Sequence, residues 1–196
     1  YETMSEDLKI FLDEKKIQKV SLIGHSMGGK TIMNFILNYP SYANKVIVVD
    51  ILPKAYNNDY EKIFNAFSKM DLNNLKSRKQ IDEYFSGFFS DYTFVSFLSK
   101  NINRDSNGNF KIKFNLNSIK SNILKITSAI KTDRVFNKDI LFIKGEYSNY
   151  IDDHGLSEAK KSFPKLSLVT IENSSHWIHY ENQKKFLIEI LNYLRT

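Results

Sequence analysis

The stretch KVSLIGHSMGGKTIMNFILNYP, residues 19–40, decides how the chain is read. Val20 to Gly24 is a short apolar run of the kind that forms a buried strand, and GGKTIMNFILN has the density of apolar residues of a packed helix, halted at Pro40. Between them stands Gly24-His25-Ser26-Met27-Gly28, a Gly-x-Ser-x-Gly pentapeptide set between strand and helix. So tight a turn puts Ser26 in a strained backbone conformation. Side chains at positions 24 and 28 would collide with neighbouring backbone, which accounts for glycine at both. The turn lifts the Ser26 hydroxyl above the carboxyl ends of the strands, where ligands bind in open α/β sheets. It also sets Ser26 at a helix N-terminus, with the Met27 N–H as one natural oxyanion donor. The competing reading is a serine that only caps the helix. The preceding strand, the third glycine at Gly29 and the apolar helix favour the nucleophile.

Outward from this unit the pattern repeats. Met4, Leu8, Phe11 and Leu12 fall at helical spacing, and KVIVVD, residues 45–50, is a second buried strand ending at Asp50. Further on, DILFIKG and LSLVTI are two more strands, EAKKSF is helical, and ENQKKFLIEILNYL places Phe186, Leu187, Ile190, Leu191 and Leu194 on one helical face. Continuous apolar strands alternating with helices predict a parallel sheet covered on both faces. Residues 55–135 break the pattern. Aromatic-rich helical segments are followed by SNGNFKIKFNL, whose Asn-Gly turn and alternation predict a small hairpin or one extended strand, and then by a further helix over NSIKSNILKITSAI. The organisation expected is an α/β core over 1–54 and 136–196, with a helical cap inserted over 55–135.

Composition narrows the function. With 196 residues the chain can bury a substantial core, and no apolar run is long enough to span a membrane. It has no cysteine, which removes disulfides, zinc–thiolate sites and cysteine nucleophiles and fits a reducing, cytoplasmic setting. The net charge of +6 comes from scattered lysines, with only four arginines and no basic stripe interleaved with aromatics, so nucleic acid is not an expected partner. The expected partner is a small molecule. Neither a metal nor an organic cofactor is implied.

A serine hydroxyl needs a base, and the base needs a group to orient it. Of the four histidines, His25 adjoins Ser26 but points elsewhere once the turn forms, and His154 lies in DDHG, which reads as a polar loop. His176 and His179 follow the fourth strand in SSHWIHY; His176, first in the loop, is preferred, and His179 falls in the first turn of a helix. For the acid, Asp50 ends the strand after the nucleophile strand. The more usual place, after the next strand, is taken by Ser148 and Asn149, with Glu146 and Asp152 as reserve carboxylates. Phe85, Phe88, Phe89, Tyr92 and Phe94 are candidates to line an acyl pocket, although each is more simply explained as helical core.

LIGHSMGGK, VVDILP and SSHWIHYENQ, with FKIKFNL and LFIKGEYSNYI, resemble the YbfF-type esterases of the α/β-hydrolase superfamily over nearly the whole chain. The resemblance implies Ser26 as nucleophile, His176 as base and Asp50 as acid. The implied activity is cofactor-free hydrolysis of carboxylic esters and acyl thioesters, including acyl-CoA esters, through an acyl-enzyme. Ile112 stands where such relatives often carry tryptophan. Proteins of this fold have strands before the nucleophile turn and a His-Gly loop that gives a second oxyanion donor. Nothing of that kind precedes Tyr1, so further sequence upstream is expected, and a targeting segment there stays open. Two other readings use the same residues: a carbon–carbon bond hydrolase or lactonase, and a non-catalytic ligand-binding member of the fold.

Overall fold

The computed structural model describes residues 1–57 and 59–195; Asn58 and Thr196, which the expected insertion and core include, lie outside the described residues. The chain forms two compact units, 1–56 with 126–196, and 57–125.

The first unit is built on a four-stranded parallel sheet of β1 (Val20–His25), β2 (Ala43–Val49), β5 (Ile140–Gly145) and β6 (Leu166–Ile171), in the order β1-β2-β5-β6. Strands alternate their side chains between faces, and the two central strands divide the core accordingly. Val46, Val48, Ile140 and Phe142 join one cluster with Met33, Phe35 and Ile36 of α2 (Met27–Asn38) and Ala159 of α7 (Asp153–Ser162). Ile47, Val49, Leu141 and Ile143 join the other, with Ile178 of the short α8 (Ile178–Glu181) and Ile190 of α9 (Gln183–Arg195). Val46 to Val49 are wholly buried. At roughly 1.5–3 kcal/mol for each buried aliphatic side chain, such strands hold the sheet together. This is the doubly covered parallel α/β sheet expected from the apolar runs.

The outer helices are more exposed than their periodicity implies. In α1 (Glu2–Glu14) Leu12 is buried, but Met4 and Phe11 are exposed. In α9 Ile190 is buried and Phe186 and Leu194 partly so, while Leu187 and Leu191 face outward. α2 stops at Asn38 because Tyr39, the residue before Pro40, is driven out of helical conformation. α7 begins at Asp153, so His154 lies in the first turn of a helix and not in a loop as DDHG suggests; the Asp152 carboxylate caps it by accepting from the Gly155 N–H at 2.6 Å.

The second unit consists of α3 (Glu61–Ser68), α4 (Arg78–Ser86), α5 (Tyr92–Ser99), the hairpin β3 (Ile102–Arg104) and β4 (Phe110–Ile112), and α6 (Leu116–Thr127), whose last residues belong to the first unit. Ser77 and Asp91 cap α4 and α5 through their side chains. Its own core gathers Phe67, Ile81, Phe85, Val95, Leu98 and Phe110. Phe85 is therefore core, Phe88, Phe89 and Phe94 pack partly buried against that core, and Tyr92 is exposed. The chain leaves and re-enters the sheet unit along a paired stem: the Tyr56 N–H donates to the Thr127 carbonyl at 2.9 Å and the Ile130 N–H to the Pro53 carbonyl at 2.8 Å. Residues 126–135, grouped with the insertion on sequence, thus lie with the sheet.

Candidate active site

Two residues leave the sheet side by side. His25 pairs with Val49 at the end of the β1–β2 ladder, and each strand gives one more hydrogen bond beyond its end, Ser26 N–H to the Val49 carbonyl (3.0 Å) and Asp50 N–H to the Ile143 carbonyl (2.8 Å). Both then turn sharply, with φ of 53° at Ser26 and 52° at Asp50, conformations that L-residues rarely adopt. The strain at Ser26 agrees with the turn chemistry, but the glycine requirement falls differently. A Cβ at Gly24 would lie 2.5 Å from the Gly28 carbonyl oxygen, and one at Gly29 would lie 2.5 Å from Ile51 Cγ2. At Gly28 a Cβ would meet nothing within 4 Å, because that residue offers its carbonyl, not its Cα, to the close approach.

Ser26 makes no side-chain capping bond to α2. Its Oγ lies instead 3.1 Å from His176 Nε2. His176 Nδ1 lies 2.8 Å from Asp50 Oδ2. Asp50 is fully buried, and its carboxylate also accepts from the Gly145 N–H at 3.2 Å and from the Ser148 hydroxyl. A wholly buried carboxylate is tolerated only with such partners. Met27 opens α2, so its N–H belongs to the unpaired amides of a helix N-terminus.

The loop that carries His176 is braced at both ends. The Tyr147 N–H donates to the Ser174 carbonyl at 2.9 Å, and the Ser175 hydroxyl donates to Glu181 at 2.7 Å. A Cβ at Gly145 would stand 2.0 Å from the Ser175 carbonyl oxygen, so only glycine lets the end of β5 pass beneath this loop. His25 turns toward the loop: its Nε2–H donates to the His176 carbonyl at 2.8 Å. Burial, and then the charge His176 would carry, push His25 down to about 4, so it is a neutral donor. His179, its ring 4.9 Å from that of His25, is also lowered, chiefly by burial.

The reserve carboxylates are engaged elsewhere. Asp152 caps α7 and pairs with Lys54. Glu146 accepts from the Asn173 N–H at 2.9 Å. His154 is exposed on α7. The structure thus brings Ser26, His176 and Asp50 together and leaves Asp152, Glu146 and His154 outside the group. Gly145 and the orienting role of Ser148 went unread in the sequence; the visible signal was a serine where a carboxylate is usual. The line of hydroxyl, imidazole and carboxylate can carry a proton from Ser26 to His176 while the buried charge of Asp50 compensates the imidazolium. Among the described residues no cluster of His, Cys, Asp and Glu is arranged to hold a metal, and no helix is long and apolar enough to cross a membrane.

A sequence profile described as the alpha/beta hydrolase fold matches residues 1–183. An abhydrolase domain-containing protein of Schizosaccharomyces pombe is 33% identical over 202 residues, covering 100% of this chain and 74% of its own length. Esterase YbfF of Escherichia coli is 27% identical over 195 residues, covering 99% of this chain and 74% of its own length. A solved structure entitled a marine microorganism esterase superposes with a TM-score of 0.94 at 38% identity, covering 98% of this chain and 77% of its own. The chain thus spans about three quarters of the length of these two curated relatives and 61–63% of others.

Proposed function

The chain belongs to the alpha/beta hydrolase fold family and is of the YbfF esterase type, and from that premise we propose that it is a serine hydrolase of carboxylic esters or acyl thioesters. The observation that carries the proposal is the continuous contact from Ser26 Oγ to His176 Nε2 (3.1 Å) and from His176 Nδ1 to Asp50 (2.8 Å).

In this reading Ser26 Oγ attacks the acyl carbonyl carbon while His176 Nε2 takes its proton. Asp50 accepts from the Nδ1–H, which selects the tautomer with a free Nε2 lone pair and stabilises the imidazolium that forms. The Met27 N–H donates to the oxyanion, a contact of the kind worth about 3 kcal/mol in the transition state. His176 then returns the proton to the departing alcohol or thiol. A water molecule, deprotonated by the same imidazole, attacks the acyl-enzyme and releases the acid. Esters and thioesters share the attacked carbonyl and differ only in the leaving group, so one site serves both. For the helical unit 57–125 we propose the role of the acyl-selecting cap, supported by its aromatic content, with Phe88, Phe89, Phe94 and Phe97 on and around α5.

The test pairs turnover of p-nitrophenyl esters and acyl-CoAs of graded length with labelling by a fluorophosphonate. Hydrolysis together with label on Ser26 is expected. Turnover without label moves the nucleophile elsewhere, and label without turnover of any acyl substrate favours the ligand-binding reading.

A further inference from the structure

Two in-plane hydrogen bonds hold the His176 ring, one at Nδ1 and one at Nε2. Such a pair fixes the direction of the ring but lets it tilt about the line joining the two nitrogens. A flat surface against one face would remove that freedom. The structure supplies one: the Tyr150 ring lies against the imidazole with centroids 4.1 Å apart and planes 19° from parallel.

Tyr150 is itself held from the side of the acid. Its N–H donates to Ser148 Oγ at 3.2 Å, and that hydroxyl donates to Asp50. Its carbonyl accepts from the Tyr56 hydroxyl at 2.9 Å, and the same Tyr56 oxygen accepts from the N–H of Leu52, two residues beyond Asp50, at 2.8 Å. The two phenol rings pack at 5.2 Å and 36°. Burial pushes the Tyr56 phenol far above its ordinary range, and the charges of Asp50 and Asp152 push the same way, so it remains a donor. The carboxylate that orients His176 and the ring that lies on it therefore belong to one cross-braced piece. An aromatic face suits both states of the base: it stacks on neutral imidazole and attracts the cation.

We propose that Tyr150 is a positioning residue for His176, its ring setting the tilt of the imidazole, and that Tyr56 is the tether that holds Tyr150 in place. The inference rests on the hydrolytic reading of Ser26, His176 and Asp50. Misplacing a reacting group by about 1 Å costs on the order of a hundredfold in rate. Tyr150→Leu, which keeps a smaller apolar side chain and loses the ring, is therefore expected to lower kcat about 10- to 100-fold with KM changed less than about threefold. Tyr150→Phe keeps most of the rate. Tyr56→Phe lowers kcat about threefold to tenfold in the wild type and clearly less in the Tyr150→Leu background, where the ring it positions is gone and only its hold on Leu52 remains. In the wild type, NMR of histidine-labelled protein should show the His176 ring C–H protons shifted upfield by the Tyr150 ring current, a readout that needs no turnover and no folded Leu variant. Wild-type rate in Tyr150→Leu, equal damage by Phe and Leu, additive losses with Tyr56→Phe, or no upfield shift would each overturn the proposal while leaving the hydrolase reading standing if Ser26 still takes the fluorophosphonate. A wild-type protein that neither labels nor turns over any acyl substrate overturns both.

Discussion

At the scale of single residues the site joins a half-buried serine and histidine to a fully buried carboxylate through named hydrogen bonds, so removing one group has definite consequences. Ser26→Ala takes away the oxygen proposed to attack and nothing that packs. It is expected to abolish ester turnover and fluorophosphonate labelling while the thermal midpoint stays within a few degrees of wild type. Asp50→Asn keeps the shape but turns an acceptor into a partial donor and removes the charge that balances the imidazolium. On the proposed mechanism a loss of roughly 10⁴ in kcat is expected, the size of the same change in a serine-protease triad, with KM moved far less. His25 ties acidity to stability. It is held down at about 4 in the folded chain, whereas an unfolded histidine titrates near 6.5. Between those values the unfolded chain binds a proton that the folded chain refuses, so stability falls as pH drops from about 6.5 to about 4. The loss at this residue is on the order of 2–3 kcal/mol. His25→Gln keeps a donor for the His176 carbonyl and removes the titration, so its urea midpoint should change less between pH 7 and pH 4.5 than that of the wild type.

At the scale of elements, the legible parts were those in which local chemistry and burial agree. β1, α2 and β2 could be read because a β-branched run, a glycine turn and an apolar helix each specify their neighbour. Ser26 and Asp50 followed because strand ends on one side of a parallel sheet are adjacent by construction. His176 was legible as the first histidine after the last strand. Features made by the approach of distant segments were not legible. The closeness of Gly145 to Ser175 and the packing of Tyr150 on His176 depend on two loops from different strands meeting, and no period within either loop encodes that. Gly28 shows the same limit in reverse, since the motif predicts a clash there and the backbone geometry places it at Gly29. Another such contact joins α2 to the stem. The buried Lys30 ammonium donates to the Ser128 carbonyl and lies over the rings of Tyr1 and Tyr56, at 5.2 Å from each. Lys30→Met fills the space without the donor. Because Ser128 is exposed and water can reach its carbonyl, and because burial already disfavours the Lys30 charge, the change is expected to move urea stability by less than about 1 kcal/mol.

At the scale of the whole molecule, the paired stem has a consequence of its own. Since Pro53 and Tyr56 bond to Ile130 and Thr127, the polypeptide departs from the sheet and comes back at nearly one point, and the entropy of closing a loop there changes only slowly with its length. Residues 57–125 therefore form a cassette. Swapping it for a short glycine-serine bridge should leave Ser26 open to the phosphonate, and lineages could trade one such cassette for another without rebuilding the sheet that carries Ser26.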